Sequence, residues 1–92
     1  MTNLYFIKNE DAIKIGYSDD VDKRLSELQI ANSNNLKILY IIENIDPSFE
    51  KHVHGVCERY KIKGEWFKKE VIEHLQNHPW FKEHMKKRNP TA

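Results

Sequence analysis

The sequence predicts an α+β fold: a small three-stranded antiparallel sheet flanked by helices, in the order ββαβαα. Three observations lead there. Two short β-rich runs, residues 3–8 and 12–17, flank the turn triplet Asn9-Glu10-Asp11. A third run, 36–42, is apolar on both parities, as a strand covered on both faces requires. Apolar residues recur at helical spacing at Val21, Leu25 and Leu28, and again at Phe49, Val53, Val56 and Tyr60. With 92 residues, few glycines and prolines and no internal repeat, the chain reads as one domain without linkers.

The register of the first two strands can be argued. Leu4 and Phe6 share one face, as do Ile13 and Ile15, and pairing these four places Tyr5, Ile7, Lys14 and Gly16 on the opposite face. A one-residue slip would set Lys14 among core residues, which is costly. Tyr5 and Lys14 are therefore expected as surface neighbours, with Gly16 leaving open space beside them. Ser18-Asp19-Asp20 then caps the first helix, early aspartates suiting its positive end. The polar run 32–35 ends that helix. Asp46-Pro47-Ser48 opens the second helix with proline in its first turn. Gly64 interrupts the chain before Glu65-Trp66-Phe67. A last helical segment carries Val71, Ile72 and Leu75, with a kink expected near Pro79.

Composition excludes several function classes. Fifteen basic residues against fourteen acidic give a net charge of +1, so the chain is no polycation. A single cysteine excludes an internal disulfide framework, and there is no CxxC zinc motif. The first segment reaches charge within eight residues, which reads as neither signal peptide nor membrane span. A cytoplasmic protein is the expectation. The near-neutral total conceals an asymmetry: residues 1–46 carry five basic and eight acidic side chains, and residues 47–92 carry ten and six. The basic end includes Lys82, Lys86, Lys87 and Arg88, which reads either as a phosphate-binding segment or as a solvated helix. No P-loop, dinucleotide fingerprint or Ser-His-Asp set is present.

Several stretches in order resemble a known family. They are Leu4-Tyr5-Phe6-Ile7, Ile13-Lys14-Ile15-Gly16-Tyr17-Ser18, Lys23-Arg24-Leu25 with Leu28-Gln29, Phe49-Glu50 with His54, and Gly64-Glu65-Trp66-Phe67. Together they resemble the GIY-YIG endonuclease superfamily, in its small phage and viral branch, over roughly residues 3–75. The resemblance implies a GIY-YIG-like fold and metal-dependent hydrolysis of a DNA phosphodiester, with Mg²⁺ or Mn²⁺ as cofactor. It divides the chain into a catalytic-type domain, 1–78, and a basic C-terminal extension, 79–92, packed on that domain or trailing it. Tyr5 takes the place of the motif's first tyrosine, Arg24 of its arginine and Glu50 of its metal-binding glutamate. In such a site Tyr5 would accept a proton from the attacking water, with Lys14 supplying the cation that a phenol of pKa near 10 needs. Arg24 would grip the phosphate. Glu50 would hold the metal. His54, one helical turn beyond Glu50, would assist metal or phosphate.

The chain also departs from the family pattern. Lys14 replaces the second tyrosine; Tyr17 remains three residues on, but strand parity points it to the other face. Leu28 stands where the family often has histidine. These departures support a second reading, a degenerate module that binds nucleic acid or a protein without cleaving. Whether the chain works as a homodimer or through a targeting partner stays open, as does whether Glu65 caps its turn or approaches the site. Trp66 and Phe67 read as core packing rather than base-stacking platforms. Structural zinc at His52, His54 and Cys57 is disfavoured, because helix positions two apart lie about 200° around the axis.

Overall fold

The computed structural model describes residues 2–32 and 35–87. Strands β1 (Thr2–Lys8) and β2 (Ala12–Ser18) form the expected hairpin. Its turn is held by Asn9, whose Oδ1 accepts from the N–H groups of Asp11 and Ala12 at 2.8 and 2.7 Å; asparagine is a turn residue for this reason. Helix α1 (Val21–Ile30) follows, then β3 (Lys37–Ile45) and helix α2 (Phe49–Cys57). A 3₁₀ turn (Glu58–Tyr60) leads into β4 (Lys61–Lys63) and β5 (Trp66–Lys68). Helices α3 (Val71–Gln76) and α4 (Pro79–His84) and a two-residue strand β6 (Lys86–Lys87) complete the described chain.

The fold is α+β, and the sheet is larger than predicted. Among the described residues it has six strands in the order β4-β5-β2-β1-β3-β6, each pair antiparallel, so the three-stranded expectation is corrected. The added strands span two or three residues and read KIK, WFK and KK. Segments of two or three residues are too short to show an alternating pattern. Pro79 also does more than kink a helix. It starts a new one, with His78 extended before it, as proline restricts the residue it follows.

The sheet is buried on both faces. On one, Leu4, Phe6, Ile13 and Ile15 pack with Val53 and Cys57 of α2, with Phe67, and with Val71, Leu75 and Phe81 of the last helices. On the other, Tyr5 and Ile7 pack with Val21 and the partly buried Leu25 and Leu28 of α1. The predicted β1–β2 face assignment is the one observed, with Phe6 opposite Ile15 and Tyr5 opposite Gly16. β3 breaks simple alternation: Ile38 and Ile41 share one face, Ile42 and Ile45 the other. Both breaks coincide with register shifts against β1, between Phe6 and Ile7 and between Thr2 and Leu4. At the second, Asn44 has φ of 56°, a left-handed conformation that asparagine tolerates better than most residues.

Asp20 caps α1, its carboxylate accepting from the Lys23 N–H at 3.0 Å. Asp20→Ala is expected to cost about 1 kcal/mol in a urea melt. A loss well under 0.5 kcal/mol, the usual scatter of surface substitutions, would show the cap to be dispensable. Among the described residues, no helix is long and apolar enough to cross a membrane.

Candidate active site

The site starts from a missing side chain. A Cβ placed on Gly16 would lie 2.5 Å from the Tyr5 Oη and 2.8 Å from its Cζ. Tyr5 therefore lies across the glycine and is only 2% exposed, which corrects the expected surface position and open space. The glycine is a seat for the ring. On the other side of β2, β5 pairs only with Ala12, Ile13 and Lys14. The ladder ends where the Glu65 carbonyl accepts the Ile15 N–H at 3.0 Å. Residues 16–18 of β2 thus run along an open sheet edge, with Glu65 fixed at its start.

Helices bring further groups to this edge from both faces. α1 carries Arg24, and the first turn of α2 carries Glu50, with His54 one turn later. Ligand atoms of Glu50, His54 and Glu65 all lie within 4.8 Å of one another. Opposite ligands of an octahedral Mg²⁺ lie about 4.2 Å apart, so the span suits one small divalent ion. The two carboxylates are oxygen donors of the kind Mg²⁺ and Mn²⁺ prefer, whereas the imidazole favours softer divalent ions over Mg²⁺. Two buried polar atoms at the same edge, Tyr17 Oη and His54 Nε2, have no hydrogen-bond partner among the described residues. Buried polar atoms of this kind call for a ligand or water.

Electrostatics tie these groups together. The Tyr5 hydroxyl is pushed up to about 12, first by burial, then by the charge of Glu65, with Arg24 opposing and Glu50 adding to the rise. Tyr17 is likewise pushed up to about 12, by burial and then by Glu50 and Asp46. Glu50 is raised above its ordinary value by burial and then by the charge of Glu65; His54 opposes the rise, and a hydrogen bond with Glu65 adds to it. The two carboxyls behave as neighbours that resist being charged together.

Of the residues singled out in the sequence, Tyr5, Arg24, Glu50 and His54 converge here. Tyr17 packs against the core on the face opposite Tyr5, as parity requires, yet senses Glu50 at the shared edge. Lys14 stays on the Tyr5 face, diagonal to it across the β1–β2 pair. Its Nζ sits 3.2 Å from the Glu65 carboxylate and 5.5 Å over the Trp66 ring, and the cation acting on the Tyr5 hydroxyl is Arg24. Lys86 and Lys87 pair with β3, so β1 and β3 separate them from β2. Arg88 lies outside the described residues. Glu65, left undecided between turn and site, is placed in the site by pairing between β5 and β2. The motif Gly64-Glu65-Trp66-Phe67 was its only visible signal. Phe67 is fully buried and Trp66 half-buried, matching the core reading of both. Beside Tyr17 and Arg24 opens a cleft of about 450 Å³, also lined by Thr2, Ser18, Asp20 and Lys23.

The raised Glu50 pKa fixes the sign of a pH effect. The folded state holds the Glu50 proton more tightly than the unfolded chain, whose value is near 4.5. This group therefore costs no stability below about pH 4.5 and progressively destabilises the fold as pH rises through the folded value. Glu50→Gln is expected to raise Tm at neutral pH and to leave it unchanged at pH 4. A Tm gain equal at both pH values would show that charge is not the cause.

The T5orf172 domain model matches residues 3–84. The chain belongs to the T5orf172 domain family. No curated protein and no solved structure matches it.

Proposed function

We propose that this protein is a metal-dependent DNA endonuclease that hydrolyses phosphodiester bonds through a GIY-YIG-type site. The observation that carries the reading is the meeting of Tyr5, Arg24, Glu50, His54 and Glu65 at one sheet edge. Phosphoryl transfer needs little more from a protein than positioning and charge neutralisation, and this set supplies both. Glu50 and Glu65, with His54, would hold the divalent ion. When bound, such an ion neutralises developing charge and acidifies its water. Arg24 offers the planar fork that grips a phosphate. Tyr5 keeps its proton at neutral pH and first orients the attacking water. To act as a base it would first release its own proton to solvent, which burial and then the negative charges of Glu65 and Glu50 oppose and Arg24 favours.

The non-cleaving alternative has a specific observation in its favour. Lys14 already pairs with Glu65, and partly buried Leu28 packs into the core where the GIY-YIG superfamily often has histidine. Incubating the protein with supercoiled plasmid and with branched DNA, in Mg²⁺, Mn²⁺ and EDTA, separates the two. Endonuclease activity predicts metal-dependent nicking or resolution that EDTA abolishes. DNA retained in gel shifts without cleavage in any metal would reject it for the alternative.

A further inference from the structure

We propose that the β4–β5 hairpin and its flanks, residues 59–69, hold the phosphate backbone of duplex DNA against the Glu50–Glu65 edge. This inference rests on the nuclease reading and names the surface that reading leaves unassigned. The segment carries five cations, Arg59, Lys61, Lys63, Lys68 and Lys69, against one carboxylate, Glu65. That carboxylate is paired with Lys14 at 3.2 Å. All five cations are exposed. Glu58 and Glu70 bound the segment, so the positive field is concentrated on the hairpin itself.

Position matters as much as charge. The Glu65 carbonyl bonds to Ile15 of β2, so the hairpin is continuous with the edge where Tyr5 and Glu50 meet. The other basic edge, Lys86–Lys87, lies at the far side of the six-stranded sheet. Lysines on an edge strand also serve to block strand pairing between molecules, and Lys61 and Lys63 on β4 could do only that. Arg59, Lys68 and Lys69 lie off that strand, so edge protection does not account for them. Ile62, between the two β4 lysines, is 55% exposed. It sits at the register shift between Lys61 and Lys63. An apolar side chain offered to solvent between cations matches a DNA groove wall flanked by phosphates.

The test is DNA binding by fluorescence anisotropy in EDTA, with a short duplex titrated at several salt concentrations. Each phosphate contact contributes about 0.9 to the slope of log K against log salt. Replacing Lys61, Lys63, Lys68 and Lys69 together by Gln is expected to weaken binding at least about tenfold and lower the slope by about two to four. The corresponding Lys→Arg variant keeps wild-type binding, which separates lost charge from lost fold. Wild-type affinity and slope in the Gln variant, or a loss confined to Lys86→Gln/Lys87→Gln, overturns the inference while leaving any cleavage intact. Preference for an RNA duplex over DNA would also overturn it. Binding that depends on the hairpin without cleavage in any metal would instead reject the nuclease reading and keep this surface. A wild-type protein that binds no duplex at low salt would reject both.

Discussion

Glu50→Ala is expected to reduce DNA cleavage by about 10²–10³-fold, the loss seen when one preorganised electrostatic group is removed from an active site. Its fold should survive. Glu50 stands in the first turn of α2 and is not one of the core residues, and its carboxyl is held against that of Glu65. Removing it relieves repulsion, so Tm at neutral pH should stay level or rise as activity falls. This opposite movement distinguishes a functional carboxylate from a structural one. Arg24→Ala should likewise lose cleavage, with the cation that opposes the Tyr5 shift gone. Glu50→Ala protein that cleaves as fast as wild type would remove the carboxylate from the mechanism.

Gly16→Ala carries the second large effect. The obstacle is room rather than backbone conformation: Gly64, with φ of +57°, adopts a left-handed turn, whereas Gly16 lies within an extended strand. A Cβ on Gly16 meets the Tyr5 ring at 2.5 Å from Oη and 2.8 Å from Cζ. A buried ring cannot swing aside cheaply, and overpacking of this kind costs about 1–3 kcal/mol. Shifting the hydroxyl by even about 1 Å is enough to cost about 10²-fold in rate. Tyr5→Phe removes the closer atom but leaves the 2.8 Å contact, so in the double variant it should restore part of the stability and none of the activity. Urea melts of the two single variants and the double variant measure the coupling directly. Gly16→Ala with wild-type stability and wild-type cleavage would show that the ring does not occupy that seat.

Legibility in the sequence followed the strength of periodic signals. The β1–β2 register could be read because Leu4, Phe6, Ile13 and Ile15 alternate against Lys14, and a slip has a physical cost. The α2 stripe was likewise readable, although Tyr60 falls in the 3₁₀ turn beyond the helix. The short added strands were not, because KIK and KK at the edges bury no side chain and WFK, although Phe67 is buried, is too short for a periodic signal. That one omission propagated into the site. Without β5 beside β2, nothing in the sequence brings Glu65 to Lys14 and Glu50, so the Lys14–Glu65 ion pair is not legible there. Tyr5 keeps the face that parity gives it but lies deeper than a surface position. Strand parity decides which way a side chain points, whereas burial depends on α1 and Trp66 covering that face.

Glu50, His54 and Glu65 are expected to gather one divalent ion beside Tyr5 and Arg24. A crystal of the protein soaked in Mn²⁺, examined by anomalous diffraction, tests it most directly. A single strong peak is expected within coordination distance of the Glu50 carboxylate, contacting Glu65 or His54 and disappearing in Glu50→Gln. A peak elsewhere on the molecule, or one at this edge that persists in Glu50→Gln, would contradict it.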